Sequence, residues 1–209
     1  MGEILLIRHG ETAWNRDEVF RGRADVPLSE RGREQARLLA GALAGRPVEA
    51  VYSSPLSRAR ETAAPVAEAV GLEVMADDRL VDMSFGEWEG RPRAEVEERW
   101  GELHETWVRA PEGFRAPGGE SLAEVLARAW PAMEEIAARH EAAAVVSHRV
   151  VCKVVLCEAI GAGAAGFWRV RVDTASVSVL ERGERGWVVT RVNDTHHLRG
   201  LGEGDRGDF

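Results

Sequence analysis

The sequence LLIRHGETAWN, residues 5–15, begins as an apolar run and turns abruptly into a polar cluster. Residues 4–7 are all apolar, and such a short run favours a strand that is buried on both faces of a sheet. Arg8 and His9 follow directly and therefore lie at the carboxyl end of that strand. In open α/β sheets this edge is where ligands bind, so both side chains are candidate substrate contacts. Gly10 lets the backbone turn sharply or approach another group closely.

Outside this stretch, predicted strands and helices alternate along the chain, which indicates a largely parallel sheet covered on both sides. Further strands are predicted at residues 48–52, 73–76 and 142–146, and helices at residues 29–44, 56–70, 121–136 and 150–160. Residues 176–180 and 187–192 alternate in polarity and predict a closing hairpin. Pro65 and Pro131 lie inside two of the helices, where each predicts a kink or a break. The segment from Gly200 onward is rich in Gly and Asp and is expected to be loosely held.

Residues 77–120 interrupt this alternation, because they lose clear periodicity and collect Trp88, Trp100, Trp107 and several glycines and prolines. Such an insertion often carries substrate contacts, whereas its tryptophans are more often core residues. The sequence therefore predicts one domain, residues 1–209, of the α/β class. Its expected architecture is a three-layer α/β/α sandwich with a mostly parallel central sheet and an irregular cap insertion at residues 77–120.

The composition narrows the class of protein further. Hydrophobic residues make up 44% of the chain and charged residues 30%, as in ordinary globular proteins. A formal net charge of -8 provides no electrostatic surface for nucleic acid, and no apolar run approaches the roughly 20 residues of a membrane span. Cys152 and Cys157 are expected to be buried free thiols rather than a disulfide or zinc ligands.

The expected partner is therefore a small molecule, with no nucleic acid and no membrane involved. A cytoplasmic location is expected, because the chain runs from Met1 directly into the first predicted strand and leaves no room for a signal peptide. The sequence does not determine the oligomeric state, and a homodimer is compatible with it.

Four sequence blocks carry a resemblance to a known family. Residues 8–12, RHGET, followed by Asn15, resemble the signature of the histidine phosphatase superfamily, the phosphoglycerate mutase-like proteins. The other three blocks match in the family's order: SSPLSRARET at residues 53–62, FGEWEG at residues 85–90 and VVSH at residues 145–148. The resemblance implies a phosphatase that requires neither a metal nor another cofactor and acts on a small phosphorylated metabolite.

Phosphoryl transfer requires positive groups around the phosphate oxygens, a nucleophile in line and a proton for the leaving oxygen. Arg8, Arg58 and His148 can supply the first, since guanidinium groups pair well with phosphate oxygens. A neutral imidazole at His9 can attack phosphorus and form a phosphohistidine, the role that the resemblance also assigns to it. Its other ring nitrogen must then donate to an acceptor such as a backbone carbonyl. The resemblance adds Asn15 to the phosphate pocket.

The proton donor departs from the family pattern. The family usually has a glutamate three residues before Phe-Gly, whereas this chain has Asp82 before Phe85. Asp82 is the predicted acid and base, with Glu87 and Glu11 as its substitutes. None of the matching blocks contains a cluster with metal-ligand spacing, so no metal site is predicted.

A second departure is Arg149, where the family usually has glycine after the distal histidine. Two interpretations stay open. In the first, Arg149 forms a structural salt bridge with Glu87 or Glu89. In the second, it joins Arg21 and Arg23, which lie in the loop at residues 16–27, in binding a second negative group on the substrate.

These observations predict a metal-independent phosphomonoesterase that hydrolyses a small phosphorylated metabolite through a phosphohistidine. A cofactor-dependent phosphoglycerate mutase is the first alternative, although that branch typically has a longer insertion before the second histidine. A catalytically impaired phosphate-binding module is the second alternative. It would require a missing core residue, and only Asp82 is irregular.

Overall fold

The computed structural model describes residues 2–202, which form one six-stranded β-sheet with helices on both of its faces. The strands are β1 (Gly2–Arg8), β2 (Ala50–Ser53), β3 (Val74–Ala76), β4 (Ala142–Ser147), β5 (Val177–Gly183) and β6 (Gly186–Asp194). The α-helices are α1 (Ala13–Arg16), α2 (Glu30–Leu43), α3 (Ser57–Val70), α4 (Arg93–Arg99), α5 (Gly101–Arg109), α6 (Leu122–Arg139) and α7 (Arg149–Ala159). Short 3₁₀ helices lie at Asp78–Leu80, Gly86–Trp88, Pro111–Gly113, Ala164–Arg169 and His196–Leu201.

The strand order is β3-β2-β4-β1-β5-β6. The first four strands in this order run parallel, β5 runs antiparallel to β1, and β6 pairs with β5 as a hairpin. Strand β4 lies between β1 and β2, although both precede it in the chain. The predicted sheet and closing hairpin are confirmed.

Alternate residues of β1 point into two separate cores. Ile4 and Leu6 pack in the cluster that contains α6, α7 and the cap, whereas Leu5 and Ile7 pack with α2 and α3. All four are at most 1% exposed, which explains why the strand is a continuous apolar run. The burial of both sheet faces confirms the predicted three-layer arrangement.

Neither of the two internal prolines breaks its helix, so of the predicted kink or break only a kink stays a prediction. Helix α3 continues through Pro65 and α6 continues through Pro131. Each proline removes only one main-chain hydrogen bond. Ala63, Val66 and Ala67 of α3 are buried against the sheet, and this packing holds the helix together across the gap.

The cap is more regular than the sequence suggested, since it contains α4 and α5. Trp88 and Trp107 are fully buried, as expected for core tryptophans, and Trp100 packs against the same cluster. Of the segment predicted to be loosely held, residues 200–202 are described and close a short helix, and residues 203–209 lie outside the described part of the chain.

Cys152 and Cys157 are free and buried, as predicted. Within residues 2–202, no helix has the length and apolar character needed to cross a lipid bilayer.

Candidate active site

The carboxyl ends of β1 and β4 bring His9 and His148 together. The two strands are adjacent and parallel, with Arg8 opposite Ser147, so the residue that follows each strand reaches the same edge of the sheet. The His9 amide donates to the Ser147 carbonyl over 2.9 Å. The imidazole centroids are 5.2 Å apart, and both rings are buried. The two strand ends therefore bring both imidazoles into one site.

The protonation of His9 follows from its neighbour. Its Nδ1 lies 2.7 Å from the Gly10 carbonyl oxygen, which can only accept a hydrogen bond. Nδ1 therefore carries the proton, and Nε2 keeps its lone pair. Burial, followed by the charge of Arg58, lowers the pKa of His9 well below its usual range. The imidazole is thus neutral, as a nucleophile must be.

Arg58 is the central side chain of the site and is fully buried in α3. Its Nε donates to His148 Nδ1 over 3.2 Å, and its Nη2 donates to Asp82 Oδ2 over 3.1 Å. Its Nη1 and Nη2 also donate to the carbonyls of Ala24 and Gly22, each over 2.8 Å. These contacts fix the guanidinium between His148, Asp82 and the loop that follows α1.

The orientation of His148 is set from both sides. Because its Nδ1 accepts from Arg58, its Nε2 carries the proton and donates to Ser54 Oγ over 2.7 Å. Burial, followed by the charge of Arg58, lowers the pKa of His148 well below its usual range. His148 is therefore a neutral donor in this geometry, rather than the positive group that the sequence suggested.

Arg8 and Asn15 are the other two predicted phosphate ligands, and both are buried. Arg8 Nη1 donates to the Val172 carbonyl over 2.5 Å. The Asn15 side-chain oxygen accepts from the Thr12 amide and hydroxyl, both over 2.9 Å. This leaves the Asn15 NH₂ group as a donor. The amide of Ser57 at the start of α3 donates to Asp25.

Of the three carboxylates considered as proton donors, Asp82 is the one at the histidines. Its Oδ2 lies 3.6 Å from His148 Nδ1, and its Oδ1 accepts from the Met83 amide over 2.9 Å. Glu11 accepts from Ser29 Oγ at the start of α2. Glu87 is exposed on the cap.

A pair of charged residues, the Arg128–Glu120 pair, holds the segment that carries Asp82. Arg128 donates to the carbonyls of Arg79, Val81 and Asp82 over 2.8, 2.6 and 3.0 Å. It also donates to both carboxylate oxygens of Glu120, one of which accepts from the Ser84 amide. The backbone on both sides of Asp82 is therefore fixed by one guanidinium and its partner.

The loop after His9 packs directly on α2. A Cβ atom at Gly10 would lie 2.7 Å from the Gly32 carbonyl, and one at Gly32 would lie 2.0 Å from the Glu11 carbonyl. Thr62 of α3 accepts from the Gly10 amide and donates to the Arg58 carbonyl. The close approach expected at Gly10 is thus to a helix of the same chain.

The two arginines outside the phosphate pocket lie together. Arg21 and Arg149 line one cavity with Asp82 and Phe85. The Arg149 guanidinium carbon is 5.8 Å from the Trp168 ring centroid. Arg23 does not join them, because it pairs with Glu120.

Residues 2–202 contain no group of three or more His, Cys, Asp or Glu side chains that could hold a metal ion. Metal independence itself stays a prediction.

A three-layer α/β/α domain with paired histidines and buried arginines at the carboxyl edge of its sheet has the architecture of an α/β phosphatase. The chain belongs to the histidine phosphatase superfamily, since the model of its branch 1 matches residues 4–195. The family predicted from the four sequence blocks is confirmed.

Relatives whose names give an activity support the same class. Phosphoserine phosphatase 1 of Hydrogenobacter thermophilus is 40% identical over 200 residues, which are 95% of each chain. The structure of Bacillus stearothermophilus YhfR is 29% identical, with a TM-score of 0.91 over 95% of this chain and all of that one. Mycobacterial glucosyl-3-phosphoglycerate phosphatase Rv2419c, solved with VO₃, is 28% identical, with a TM-score of 0.85 over 93% of this chain and 100% of that one. These matches support a hydrolase that acts on phosphomonoesters of small metabolites.

Three residues of the site carried no assigned role in the sequence analysis: Ser54, Thr62 and Arg128. Ser54 and Thr62 lie within the matched block at residues 53–62, which was a signal for both. Arg128 had no such signal, because its partners are backbone carbonyls of a segment about 46 residues away in sequence.

Proposed function

We propose that this protein hydrolyses phosphomonoesters of small metabolites through a phosphohistidine on His9. The observation that carries the proposal is the hydrogen bond from His9 Nδ1 to the Gly10 carbonyl. This bond leaves the Nε2 lone pair available, and the lowered pKa keeps the ring unprotonated at neutral pH.

In the first step, His9 Nε2 attacks phosphorus while the bond to the leaving-group oxygen breaks. Arg8, Arg58 and Asn15 hold the phosphoryl oxygens and stabilise their charge as it redistributes. Asp82 donates a proton to the leaving alcohol and becomes a carboxylate. Its closeness to the catalytic histidines, with Oδ2 3.6 Å from His148 Nδ1, supports this role.

In the second step, a water molecule attacks phosphorus and the bond to His9 Nε2 breaks. Asp82 takes the proton from the attacking water and returns to its starting form. The products are the alcohol and inorganic phosphate, and His9 regains its neutral state.

Rapid quenching with a substrate that carries a labelled phosphoryl group tests the proposal. The expected result is one acid-labile, base-stable label on the protein, absent from His9→Gln and present in His196→Gln, whose histidine is exposed. Label retained by His9→Gln would falsify the assignment. Activity should also survive EDTA, whereas a loss that a divalent metal reverses would contradict a metal-free mechanism.

The same residues could return the phosphoryl group to a bound product, as a mutase does, and one measurement separates the two outcomes. With 3-phosphoglycerate and trace 2,3-bisphosphoglycerate, we expect phosphate release and little 2-phosphoglycerate. Isomerisation without phosphate release would establish the mutase instead.

The proposed location of this activity is the cytoplasm. The two buried thiols, Cys152 and Cys157, suit a reducing compartment, in which disulfides are rare. Cell fractionation followed by phosphatase assay tests this location.

A further inference from the structure

Gln35 is a buried polar side chain on the inner face of α2, whose other buried residues are glycine, alanine and leucine. It is 3% exposed. Its Oε1 accepts a hydrogen bond from the Glu11 amide over 2.8 Å, and its Nε2 donates to Thr174 Oγ1 over 3.0 Å. Because a backbone N–H can only donate, the side-chain oxygen of Gln35 must face Glu11. Both ends of the side-chain amide are therefore bonded, and its orientation is fixed.

The amide that Gln35 holds belongs to the peptide group that orients His9. The Gly10 carbonyl and the Glu11 N–H are part of one planar unit, and they point in opposite directions across it. The carbonyl accepts from His9 Nδ1 over 2.7 Å, while the N–H donates to Gln35. Any rotation of this plane away from Gln35 therefore also moves the carbonyl away from the His9 ring.

Residue 10 makes such a rotation easy, since a glycine tolerates backbone angles that other residues avoid. The preceding peptide group is held by two other parts of the chain. The His9 carbonyl accepts from the Ala175 amide over 3.2 Å, and the Gly10 amide donates to Thr62 Oγ1 over 2.9 Å. The peptide group that follows Gly10 is bonded through its N–H to Gln35.

The position of the Gly10 carbonyl decides which ring nitrogen of His9 carries the proton. With the carbonyl in place, Nδ1 donates to it, and Nε2 keeps the lone pair that attacks phosphorus. Once the carbonyl has rotated away, the proton can reside on Nε2 instead. The ring is still neutral in that form, but it has no lone pair at Nε2 and cannot attack through this atom.

We propose that Gln35 is a positioning residue for His9, which it keeps in the reactive tautomer through the Gly10–Glu11 peptide group. The proposal rests on the phosphatase function above, because His9 is the nucleophile of that reaction. A structural role alone, in which Gln35 only satisfies a buried amide, would leave the tautomer of His9 unchanged when Gln35 is replaced.

The tautomer is measured by ¹⁵N NMR of protein labelled at histidine, because protonated and unprotonated ring nitrogens have distinct chemical shifts. His9→Gln identifies the signals of His9 by their absence. In the wild type we expect a protonated Nδ1 and an unprotonated Nε2. In Gln35→Met, which keeps a side chain of similar length and removes the acceptor, we expect the signals to shift toward protonation at Nε2.

Gln35→Met should also slow the hydrolysis of every substrate by a similar factor. The same nitrogen attacks each substrate, so we expect kcat/KM to fall roughly ten- to a hundredfold on both an alkyl phosphate and p-nitrophenyl phosphate. This pattern differs from the leaving-group dependence that loss of the acid produces. Gln35→Glu should recover most of the activity and the wild-type signals, because a carboxyl group offers an oxygen to the Glu11 amide in either protonation state.

Two controls in α2 separate positioning from stability. Arg37→Met changes an exposed side chain two residues away and should match the wild type. Leu39→Ala removes a fully buried side chain from the same face, so it should lower the melting temperature and leave the His9 signals unchanged. If Gln35→Met folds poorly, Gln35→Asn takes its place with the same expected result, since its side chain is one methylene too short to reach the Glu11 amide.

Unchanged His9 signals in the folded variant, Gln35→Met or Gln35→Asn, would overturn the proposal. A loss of activity no greater than that of Leu39→Ala, assayed below its melting transition, would overturn it as well. The NMR measurement is made on the free protein, so its result does not depend on the reaction. A wild-type protein that shows the expected tautomer and forms no phosphoenzyme would therefore contradict the proposed function and not the effect of Gln35 on the ring.

Discussion

Arg58 Nη2 lies 3.1 Å from Asp82 Oδ2, so a buried cation and the proposed acid are in direct contact. The side chains are 0% and 8% exposed. Removing one member of such a buried pair leaves an uncompensated charge, which commonly costs about 3 to 5 kcal/mol. A variant of either residue can therefore lose activity because it is less stable. A comparison of substrates with good and poor leaving groups separates such a loss from the loss of an acid.

Asp82→Asn should lose more activity on an alkyl phosphate than on p-nitrophenyl phosphate. An alkoxide needs a proton to leave, and general acids contribute about 10² to 10⁴-fold to such steps, whereas p-nitrophenolate leaves readily. The measurement is kcat/KM on both substrates. Asp78→Asn, which changes an exposed aspartate of the same segment, should match the wild type. Equal losses on both substrates would transfer the role to Glu87 or Glu11.

Arg128→Met should reproduce this leaving-group effect without touching the substrate. Its guanidinium holds the carbonyls of Arg79, Val81 and Asp82, and without it the carboxylate is free to move from its position. We expect a roughly tenfold or larger loss on an alkyl phosphate and a smaller one on p-nitrophenyl phosphate. Arg139→Met, an exposed change in the same helix, is the control. A lower melting temperature with no change in substrate dependence would assign Arg128 to stability alone.

Stability should fall as the pH drops below about 6.5, the pKa of an unfolded histidine. Because burial lowers the pKa of His9 and His148 in the folded protein, the unfolded chain binds more protons in this range. The contribution of the two histidines to the free energy of unfolding is complete above about pH 6.5. Below this pH, the contribution of each histidine falls by up to about 1.4 kcal/mol per pH unit. Melting temperatures at pH 7.5 and 5.5 should differ less in His9→Gln than in the wild type. The same difference in both proteins would disprove the linkage, and His196→Gln should behave as the wild type.

Gly32→Ala and Gly41→Ala should have opposite effects, although both lie in α2. The new methyl at residue 32 would lie 2.0 Å from the Glu11 carbonyl, whereas nothing lies within 4 Å of the one at residue 41. Gly32→Ala should cost about 1 to 3 kcal/mol and reduce activity by displacing the loop after His9. Gly41→Ala should stabilise by roughly 0.5 to 1 kcal/mol, since alanine is the better helix former. Urea unfolding measures both, and a tolerated Gly32→Ala would contradict the close packing.

The parts of the site that could be predicted from sequence are those attached to strand ends. His9 and His148 each follow a continuous apolar run, and parallel strands bring such positions to one edge of a sheet whatever the intervening chain does. Chemistry alone also requires that one ring nitrogen of His9 donate a hydrogen bond, but it does not identify the acceptor. Sequence shows that a donor requires an acceptor, but it does not show which carbonyl is near.

Other features depend on packing that periodicity does not record. Helices α4 and α5 are too short to show a clear repeat, and His104 of α5 is buried beside Phe20 and Trp88 rather than exposed as a lone polar residue would suggest. The continuity of α3 through Pro65 likewise depends on the sheet beneath it. Helix propensity predicts the free-energy cost of a proline within a helix, but it does not include the burial of α3 against the sheet, which offsets that cost.

The position of β4 between β1 and β2 has a kinetic consequence. His9 and His148 meet only when a strand from the second half of the chain inserts between two strands from the first half. Contacts of such long sequence separation form late and slowly, because the intervening chain loses entropy before they can form. A refolding molecule can therefore have native helices and a native β1 and still lack the site. Regained turnover reports completion of the sheet, and it should lag behind the recovery of helical circular dichroism.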